Sequence, residues 1–432
     1  MKNMRKVKSK RGILYILIIL LLPTIYWLVI PRNEILDGNI LPAFGEISGI
    51  LGVLLFSINL ILSTRLKVVE KVFDGLNDVY AKHNTLGQIS LMLLMLHPLL
   101  LIPRYAADIN DAAKFIMPSP NNVPKTLGSV ALSIMMFLIV LTLYLRPKYN
   151  LWKVTHKFLG LAFFVASIHV YLIPGYILTY PILKLYILFF ILLGIISFLY
   201  KTVFEKYTVK KYKYSVNEIR NLNKDILEIS LVPLREKIKY KPGQFIFIKF
   251  KGKGIINESH PFSIVSAPNE DELKIAVKNL GDYTSKLKDQ LSKGTIADIE
   301  EPYGVFTYKN KNPNQIWIAG GIGITPFISM VKDIVLTKDK EIKIDLYYCV
   351  HNERECVYLD ILKSLPKNIN LITYYSDENK HIDADYILNN SQNVEYKDIL
   401  ICAPVKMVQS LKAQFIKEGI NKKSIYSEEF AF

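Results

Sequence analysis

The chain has 432 residues, which is long enough for two or three domains. It combines 51% hydrophobic residues with a formal net charge of +16 at pH 7, an unusual pairing for a soluble protein. The two properties belong to different segments, because apolar runs fill the first half while lysines and arginines flank these runs and scatter over the second half. The basic residues form no stripe interleaved with aromatic residues, so the charge does not indicate nucleic-acid binding.

Six apolar runs in the first half predict six membrane-spanning helices, since about 20 apolar residues cross a hydrocarbon core. The runs are 12–30, 47–63, 86–102, 127–145, 152–173 and 176–200. The first follows a basic start but precedes no A-x-A cleavage pattern, so we interpret it as a retained span. Basic residues lie before the first run and after the second, fourth and sixth, which predicts a cytoplasmic amino terminus and a cytoplasmic second half.

Four histidines lie in or beside these runs, where ionisable side chains are rare and usually functional. His83 and His97 are separated by 14 residues, and His156 and His169 by 13, or about 20 Å along each helix. Facing helices would therefore pair His83 with His156 and His97 with His169, which suits two bis-histidine haems stacked across the membrane.

The alternative is four separate histidines bonded to backbone carbonyls or lying among headgroups. A step of 13 leaves two rings about 140° apart, so a local distortion or a strong tilt is expected there, and Pro98 is expected to disturb its helix.

The second half changes to short β-branched and aromatic runs from about residue 206. Runs 225–234, 244–250 and 273–278 predict strands of a small antiparallel barrel. After residue 312, strands at 315–319, 343–350, 370–375 and 398–401 alternate with glycine turns and helices, which predicts a parallel sheet wrapped by helices. The predicted fold class is a membrane all-α six-helix domain (1–205), an antiparallel β-barrel domain (206–312) and an α/β nucleotide domain (313–432).

Two motifs in the predicted barrel suit a flavin. The run 241–245 (KPGQF), followed by His260-Pro261-Phe262-Ser263, places an aromatic ring and a hydroxyl at a strand end, where they can pack against an isoalloxazine edge. Gly281-Asp282-Tyr283-Thr284 opens a predicted helix, whose free amides and dipole favour a pyrophosphate. An ordinary capped helix start has the same pattern.

The strongest motif is the glycine turn at 319–326 (AGGIGITP), which follows an apolar strand and precedes a helix with proline in its first turn. Glycines there permit a tight turn and close approach of a dinucleotide pyrophosphate to the backbone. The run is not G-x-G-x-x-G, so we make no generic Rossmann assignment, and a purely structural turn is the alternative.

The order of these motifs, P-G-Q-F, H-P-F-S, G-x-x-T, G-G-I-G-I-T-P and then I-C-A-P, resembles the ferredoxin-NADP reductase family. Joined to six spans with two histidine pairs, it is similar to the ferric reductase and NADPH oxidase superfamily over residues 12–432. The resemblance implies a plasma-membrane flavocytochrome, in which cytoplasmic NADPH or NADH reduces FAD and electrons pass singly through two b-type haems. Outside, O2 would be reduced to superoxide, or ferric chelates would be reduced; no nucleic acid and no obligate protein partner are expected.

The resemblance also implies roles residue by residue. His83 and His156 would ligate the inner haem, and His97 and His169 the outer one. The cofactor-binding residues would be His260, Pro261, Phe262 and Ser263 at the flavin, Gly281 and Thr284 at its pyrophosphate, and Gly320, Gly321, Gly323, Thr325 and Pro326 at the nicotinamide nucleotide. Cys402 would lie beside the nicotinamide, and Phe430, with Phe432 as second candidate, would cover the flavin face.

Some positions depart from the pattern of the family or leave a choice open. Ala403 and Glu301 stand where relatives usually have glycine, and Ala403 is expected to leave less room for the nucleotide. Both His351 and Arg354 follow a predicted strand where a basic residue would grip the 2′-phosphate of NADPH, and Arg354 is preferred because its guanidinium is always charged and forked. The three cysteines, Cys349, Cys356 and Cys402, all lie in the second half, and no disulfide is expected.

Two other functions compete with a flavocytochrome. The apolar half would serve only as an anchor in a membrane-bound flavoreductase that supplies a protein or quinone partner. A transporter with a regulatory nucleotide domain is the second alternative, although the six runs hold hardly any of the carboxylates that transporters use.

Overall fold

The computed structural model describes residues 11–29, 40–142, 149–173 and 180–430. The chain divides between Thr208 and Val209 into two compact units. The first is made of helices, and the second contains two sheets with helices around them.

The helical unit contains six helices that are long and apolar enough to cross a membrane, as the six apolar runs predict. They are α1 (Arg11–Val29), α2 (Ile40–Leu62), α4 (Leu76–Tyr105), α6 (Val123–Val140), α7 (Tyr149–Leu172) and α8 (Pro181–Leu199), with short helices α3 (Lys67–Val72) and α5 (Ile109–Ile116) between them. A π-helical turn (Tyr200–Phe204) joins α8 to α9 (Glu205–Thr208). The predicted ends at residues 30 and 145 and the predicted start at 176 lie outside the described residues.

Helix α2 packs along α4 and α8 and is the most buried of the six spans. Small residues on α2 make the contact with α4 close, because a Cβ atom at Gly52 would lie 2.8 Å from the Leu94 side chain. Apolar attraction between helices is weak in lipid, so close backbone packing of this kind is what holds spans together. Helices α6 and α7 form a second close pair.

Two spans remain continuous at positions where a distortion is expected. Helix α4 runs through Pro98 and Pro103 without interruption, although each proline removes a backbone donor. Neighbouring groups in a helix bundle commonly satisfy the carbonyls that such prolines free. Helix α7 is also α-helical throughout 149–172, so of the two expected alternatives the local distortion is not found and the strong tilt stays a prediction.

The first sheet of the second unit is antiparallel and forms the predicted barrel. Its strands are β1 (Lys211–Asn221), β2 (Ile226–Pro233), β3 (Phe245–Lys251), β4 (His260–Ser263), β5 (Leu273–Lys278) and β6 (Ile296–Glu300), in the order β4-β3-β6-β1-β2-β5. A bridge between Ile264 and Ile275 ties the two edges together. Helix α10 (Asp282–Gln290) adds Tyr283 and Leu287 to the barrel core. The sequence predicts β2, β3 and β5; β1, β4 and β6 were not predicted as strands.

The second sheet is parallel, as the alternation of strands and helices predicts. Its strands are β7 (Asn314–Gly320), β8 (Lys343–Val350), β9 (Ile369–Tyr375), β10 (Asp398–Pro404) and β11 (Ile425–Phe430), in the order β11-β10-β7-β8-β9. The helices around it are α11 (Thr325–Thr337), α12 (Leu359–Lys363), α13 (Ala384–Asn390) and α14 (Val405–Lys417). The carboxyl end of β7 leads through a short 3-10 turn into α11, and that of β10 leads directly into α14. This edge is where open α/β sheets bind ligands.

The barrel and the parallel sheet share a core within the second unit. Ile226 and Phe306 from the barrel side pack in one cluster with Trp317 and Phe327 of the nucleotide side. The Ser329 hydroxyl on α11 donates a 2.7 Å hydrogen bond to the carbonyl of Ser266, next to the barrel. This packing fixes the barrel motifs relative to the glycine turn.

Candidate functional site

The first histidine pair comes together in the helical unit. The rings of His83 on α4 and His156 on α7 have centroids 6.2 Å apart and are inclined at 63°. One metal ion between two imidazoles, with bonds of about 2 Å on each side, requires ring centres about 6 Å apart. The separation of the two rings is therefore the one that a single bis-histidine iron requires. The Trp152 ring stacks on His156 at a centroid distance of 5.0 Å.

The second pair is held by backbone carbonyls. His97 Nδ1 lies 2.7 Å from the Gly45 carbonyl oxygen on α2, and His169 Nδ1 lies 2.7 Å from the Pro124 carbonyl oxygen on α6. When Nδ1 donates to a carbonyl, the other ring nitrogen keeps its lone pair for a metal, which is the usual arrangement of ligating histidines.

One face of α4 forms an evenly spaced series of contacts with α2. Polar side chains at intervals of seven residues, or about two turns, share a face of α4. They contact α2 carbonyl oxygens that are also seven residues apart, in the pairs His83–Asn59 (3.1 Å), Ser90–Gly52 (2.9 Å) and His97–Gly45 (2.7 Å). Helix α2 thereby orients both histidines of α4.

The two predicted flavin motifs converge in the second unit. The His260 ring on β4 stacks on the Tyr283 ring of α10 with centroids 3.7 Å apart, and His260 Nε2 lies 3.3 Å from a Glu258 oxygen. Burial raises the pKa of the Tyr283 hydroxyl. Pro261 is exposed, Phe262 is partly buried and Ser263 is buried.

The start of α10 is a capped helix with open space beside it. The Thr284 hydroxyl accepts from the Gly281 amide at 3.0 Å and donates to the Gly281 carbonyl at 3.0 Å. A Cβ atom at Gly281 would have no neighbour within 4 Å. The Thr284 side chain therefore caps this helix start, and a pyrophosphate at the first-turn amides stays a prediction.

The KPGQF run reaches the other end of β4. Phe245 pairs with Ser263 across β3 and β4, and the Gln244 amide donates a 2.9 Å hydrogen bond to the Gly304 carbonyl. Gly304 has φ +98°, and a Cβ atom there would lie 3.2 Å from the Phe245 ring and 3.5 Å from a Glu428 oxygen. Phe245 and Glu428 therefore flank the same glycine.

The glycine turn packs against the end of β10. Gly321 has φ +55°, which favours glycine, and a short 3-10 turn leads into α11, where Thr325 and Pro326 form the buried first turn. A Cβ atom at Gly323 would collide with the carbonyl of Cys402. One at Gly320 would lie 2.8 Å from the Ala403 Cβ atom, so the methyl group of Ala403 is buried against this glycine.

Sequence reasoning missed Glu428. It lies on β11 directly beside Cys402 of β10, and both side chains are buried, with 4% and 0% of their surfaces exposed. Burial, with a smaller contribution from Glu428, raises the pKa of the Cys402 thiol well above its usual range. A glutamate within a strand is by itself a weak signal of function. Only the register of β11 against β10 shows that Glu428 lies beside Cys402.

The remaining predicted residues lie near the carboxyl ends of β8 and β11. Arg354 is exposed in a 3-10 turn after β8, and no ion pair involves it within the described residues. His351 lies 3.6 Å from an Asp377 oxygen. Phe430 ends β11, where it pairs with Pro404; its side chain and Phe432 lie outside the described parts of the structure.

Three regions of the chain match family models. Residues 48–167 match the ferric reductase like transmembrane component, residues 211–320 an FAD-binding domain, and residues 317–413 the oxidoreductase NAD-binding domain. The described helices and the first of these matches together indicate a multi-pass membrane protein.

Curated relatives match parts of the chain. It is 25% identical over 206 residues to the 2-halobenzoate 1,2-dioxygenase electron transfer component of Burkholderia cepacia, covering 45% of this chain and 60% of the relative. It is 27% identical to ferric reduction oxidase 4 of Arabidopsis thaliana over 59% of this chain and 35% of that protein. Respiratory burst oxidase homolog protein D of Solanum tuberosum is 31% identical over 31% of this chain and 18% of that protein. The chain thus spans less than two thirds of the length of each of these three relatives.

Among solved structures, the FAD/NAD binding domain of nitric oxide dioxygenase from Vibrio cholerae is 21% identical, with a TM-score of 0.45, and the match covers 51% of this chain and 98% of that one. The predicted fold class, six apolar helices followed by an antiparallel barrel and a parallel sheet wrapped by helices, is confirmed by the described elements and the transmembrane match. The chain thus combines a ferric reductase-like transmembrane region with FAD-binding and oxidoreductase NAD-binding regions, and its predicted resemblance to the NADPH oxidase and ferric reductase superfamily is confirmed.

Proposed function

We propose that this protein is a transmembrane flavocytochrome that moves electrons from cytoplasmic NADPH or NADH to an acceptor outside the plasma membrane. Residues 1–205 would hold two b-type haems, 206–312 FAD and 313–432 the nicotinamide nucleotide. When bound, FAD accepts two electrons as a hydride and gives them up singly to haem, which takes one at a time. The observation that carries the proposal is the approach of His83 and His156 to 6.2 Å across two spans.

The four span histidines would be the iron ligands. His83 and His156 would hold the inner haem, while His97 and His169 would hold the outer one. Carbonyl contacts at Nδ1 of His83, His97 and His169 support this role, because they orient each ring and leave its other nitrogen for the metal. The basic residues beside alternate span ends support a cytoplasmic second unit.

The second unit would bring nucleotide and flavin together. Ser263, Phe262, Pro261 and His260 would contact FAD, with Gly281 and the α10 amides at its pyrophosphate. Gly320, Gly321, Gly323, Thr325 and Pro326 would line the nucleotide site, with Arg354 at the 2′-phosphate of NADPH. The neutral Cys402 thiol and the Glu428 carboxylate would border the nicotinamide, and Phe430 would cover the flavin face. The approach of Glu428 and Phe245 to Gly304, and the pairing of Phe245 with Ser263, support this arrangement.

We propose O2, reduced to superoxide, as the acceptor, with ferric chelates as the second candidate. The likeness to a respiratory burst oxidase homologue supports the first, and the transmembrane match together with the likeness to ferric reduction oxidase 4 supports the second. Purified protein given NADPH and FAD distinguishes them. Oxygen consumption that superoxide dismutase lowers favours the oxidase, and ferric chelate reduction that persists without oxygen favours the reductase.

The histidine assignment is tested by separating the two levels. His97→Ala should keep one haem and its FAD, still reduce a cytoplasmic-side dye with NADPH, and lose reduction of an impermeant outside acceptor. His83→Ala should leave the outer haem unreduced by NADPH although dithionite still reduces it. Haem and FAD contents must be measured first, because a lost haem leaves a cavity between α4 and α7. An outside acceptor reduced at the parental rate by His97→Ala with one haem would contradict the assignment.

A further inference from the structure

We propose that Gly49 and Gly128 are positioning residues that fix the imidazole planes of the outer haem ligands. Each would do so by leaving open the space through which a histidine reaches a helix carbonyl. This inference rests on the proposed haem function and adds two residues, on α2 and α6, that ligate nothing themselves.

The first observation is the close fit of each glycine to one ring. A Cβ atom at Gly49 would lie 2.6 Å from His97 Nδ1 and 2.9 Å from its Cε1. A Cβ atom at Gly128 would lie 2.9 Å from both Nδ1 and Cε1 of His169. Contacts this short do not occur between real side chains, so an alanine at either position must displace the ring or the helix that carries it.

The second observation is that the two arrangements are the same. His97 contacts the carbonyl of Gly45, four residues before Gly49, and His169 contacts the carbonyl of Pro124, four residues before Gly128. In an α-helix the carbonyl of residue i points toward residue i+4, so the side chain at i+4 borders the approach to that oxygen. Glycine at i+4 removes this obstacle, and both bonds reach 2.7 Å.

The inner pair lacks this arrangement. His83 contacts the carbonyl of Asn59 at 3.1 Å, and the residue four positions later is Ser63, which has a side chain. His156 is instead stacked against Trp152. Within the described ranges, the carbonyl and glycine motif therefore occurs at the outer pair and not at the inner one, and it would hold the two outer imidazole planes at a fixed mutual angle.

The test uses full-length protein carrying Gly49→Ala or Gly128→Ala, with Gly52→Ala as the matched control. Gly52 lies on α2 as well, and its added Cβ atom would meet Leu94 at 2.8 Å rather than a histidine. Haem content and the low-spin EPR signals of the two ferric haems are measured. We expect the first two variants to shift or lose one of the two signals, and Gly52→Ala to keep both.

A second measurement separates ligand positioning from general damage to packing. In His169→Gly protein the ligand is replaced by free imidazole or by 1-methylimidazole, which coordinates iron but has no second N–H to donate to the Pro124 carbonyl. We expect imidazole to bind about fivefold more tightly, the effect of about 1 kcal/mol from one hydrogen bond. Adding Gly128→Ala should abolish this preference.

The outcomes are distinct. A parent protein without haem would remove the proposed function itself. A parent with two haems, together with glycine variants whose signals equal those of the parent, would overturn only the present inference. Equal affinity of the two imidazoles, or the same signal loss in Gly52→Ala, would overturn it as well.

Discussion

Cys402 and Glu428 lie opposite each other on the neighbouring parallel strands β10 and β11, and both side chains are buried. A buried carboxylate is costly to desolvate, so its presence at a ligand-binding sheet edge indicates a functional role more than a stabilising one. The thiol beside it stays neutral, because burial and the carboxylate both raise its pKa. Of these two groups, the carboxyl of Glu428 rather than the thiol is the one that can carry negative charge at this edge.

We predict that Glu428→Gln slows flavin reduction by NADPH about tenfold or more. The nicotinamide ring gains positive charge as it gives up a hydride, and a fixed carboxylate in a buried site stabilises that charge. Stopped-flow bleaching of the flavin absorbance measures the rate. The control is Glu429→Gln on the adjacent residue, whose carboxylate lies 3.5 Å from Lys412 at a more exposed position. Equal rates in parent and Glu428→Gln would show that the carboxylate has no part in the transfer.

The buried thiols should resist alkylation in the native protein at alkaline pH. Burial raises the pKa of the Cys349 thiol to about 12 and also raises that of Cys402. The pKa of a free cysteine is about 8.5. Between that pH and about 12, the native thiol therefore stays protonated, whereas the same cysteine in the unfolded chain is a reactive thiolate. The same difference means that these thiols favour the folded state fully below about pH 8.5 and progressively less as the pH rises toward 12.

Iodoacetamide labelling at pH 9, read by mass spectrometry, checks this prediction. Native Cys349 and Cys402 should remain unlabelled while both react in urea. Labelling of native Cys349 at the rate seen in urea would contradict the assigned burial.

Arg354 should select NADPH over NADH. Its exposed guanidinium can form a bidentate contact with a 2′-phosphate, and such a charge-assisted pair contributes about 1.5–3 kcal/mol. Arg354→Ala should therefore raise KM for NADPH by about tenfold or more and leave KM for NADH unchanged. His351→Ala is the matched comparison, since His351 lies beside Asp377 and is the other basic candidate. A selective loss of NADPH affinity in His351→Ala alone would transfer the role to that residue.

The sequence predicts the elements and the histidine pairs because these depend on local patterns. Apolar length predicts the spans, and a two-helix spacing pairs His83 with His156. The sequence does not reveal that α2 orients α4, because the carbonyls of Asn59, Gly52 and Gly45 carry no signature in side-chain identity. Small residues in an apolar run suggest close packing. Which helix packs against these small residues is seen only in the structure.

The misses in the second unit have a similar origin. Strand β4 was not predicted because it is short and contains Pro261, and Glu428 was missed because its depth depends on the register of β11 against β10. That Ala403 leaves less room for the nucleotide stays a prediction. The structure buries its methyl group against Gly320, a contact between residues 83 positions apart that no local pattern contains.

The last prediction concerns the inner histidine pair. Among the described residues, no hydrogen bond holds the His156 ring, so its orientation depends on the stacked Trp152 ring four residues earlier on α7. Trp152→Leu should free the ring, whereas Trp152→Phe should retain most of the stacking.

An aromatic pair of this kind contributes about 0.5–1.5 kcal/mol. This corresponds to a change of about two- to twelvefold in the affinity for the haem that His156 would ligate. We therefore expect Trp152→Leu to lose haem several times faster to apomyoglobin than the parent, and to broaden the inner-haem EPR signal while the outer signal is unchanged. Trp152→Phe should lie near the parent in both measurements. The outer pair provides an internal control, because His97 and His169 are held by carbonyls rather than by stacking. If Trp152→Leu broadened both signals equally, the tryptophan would act on the packing of α7 as a whole rather than on His156.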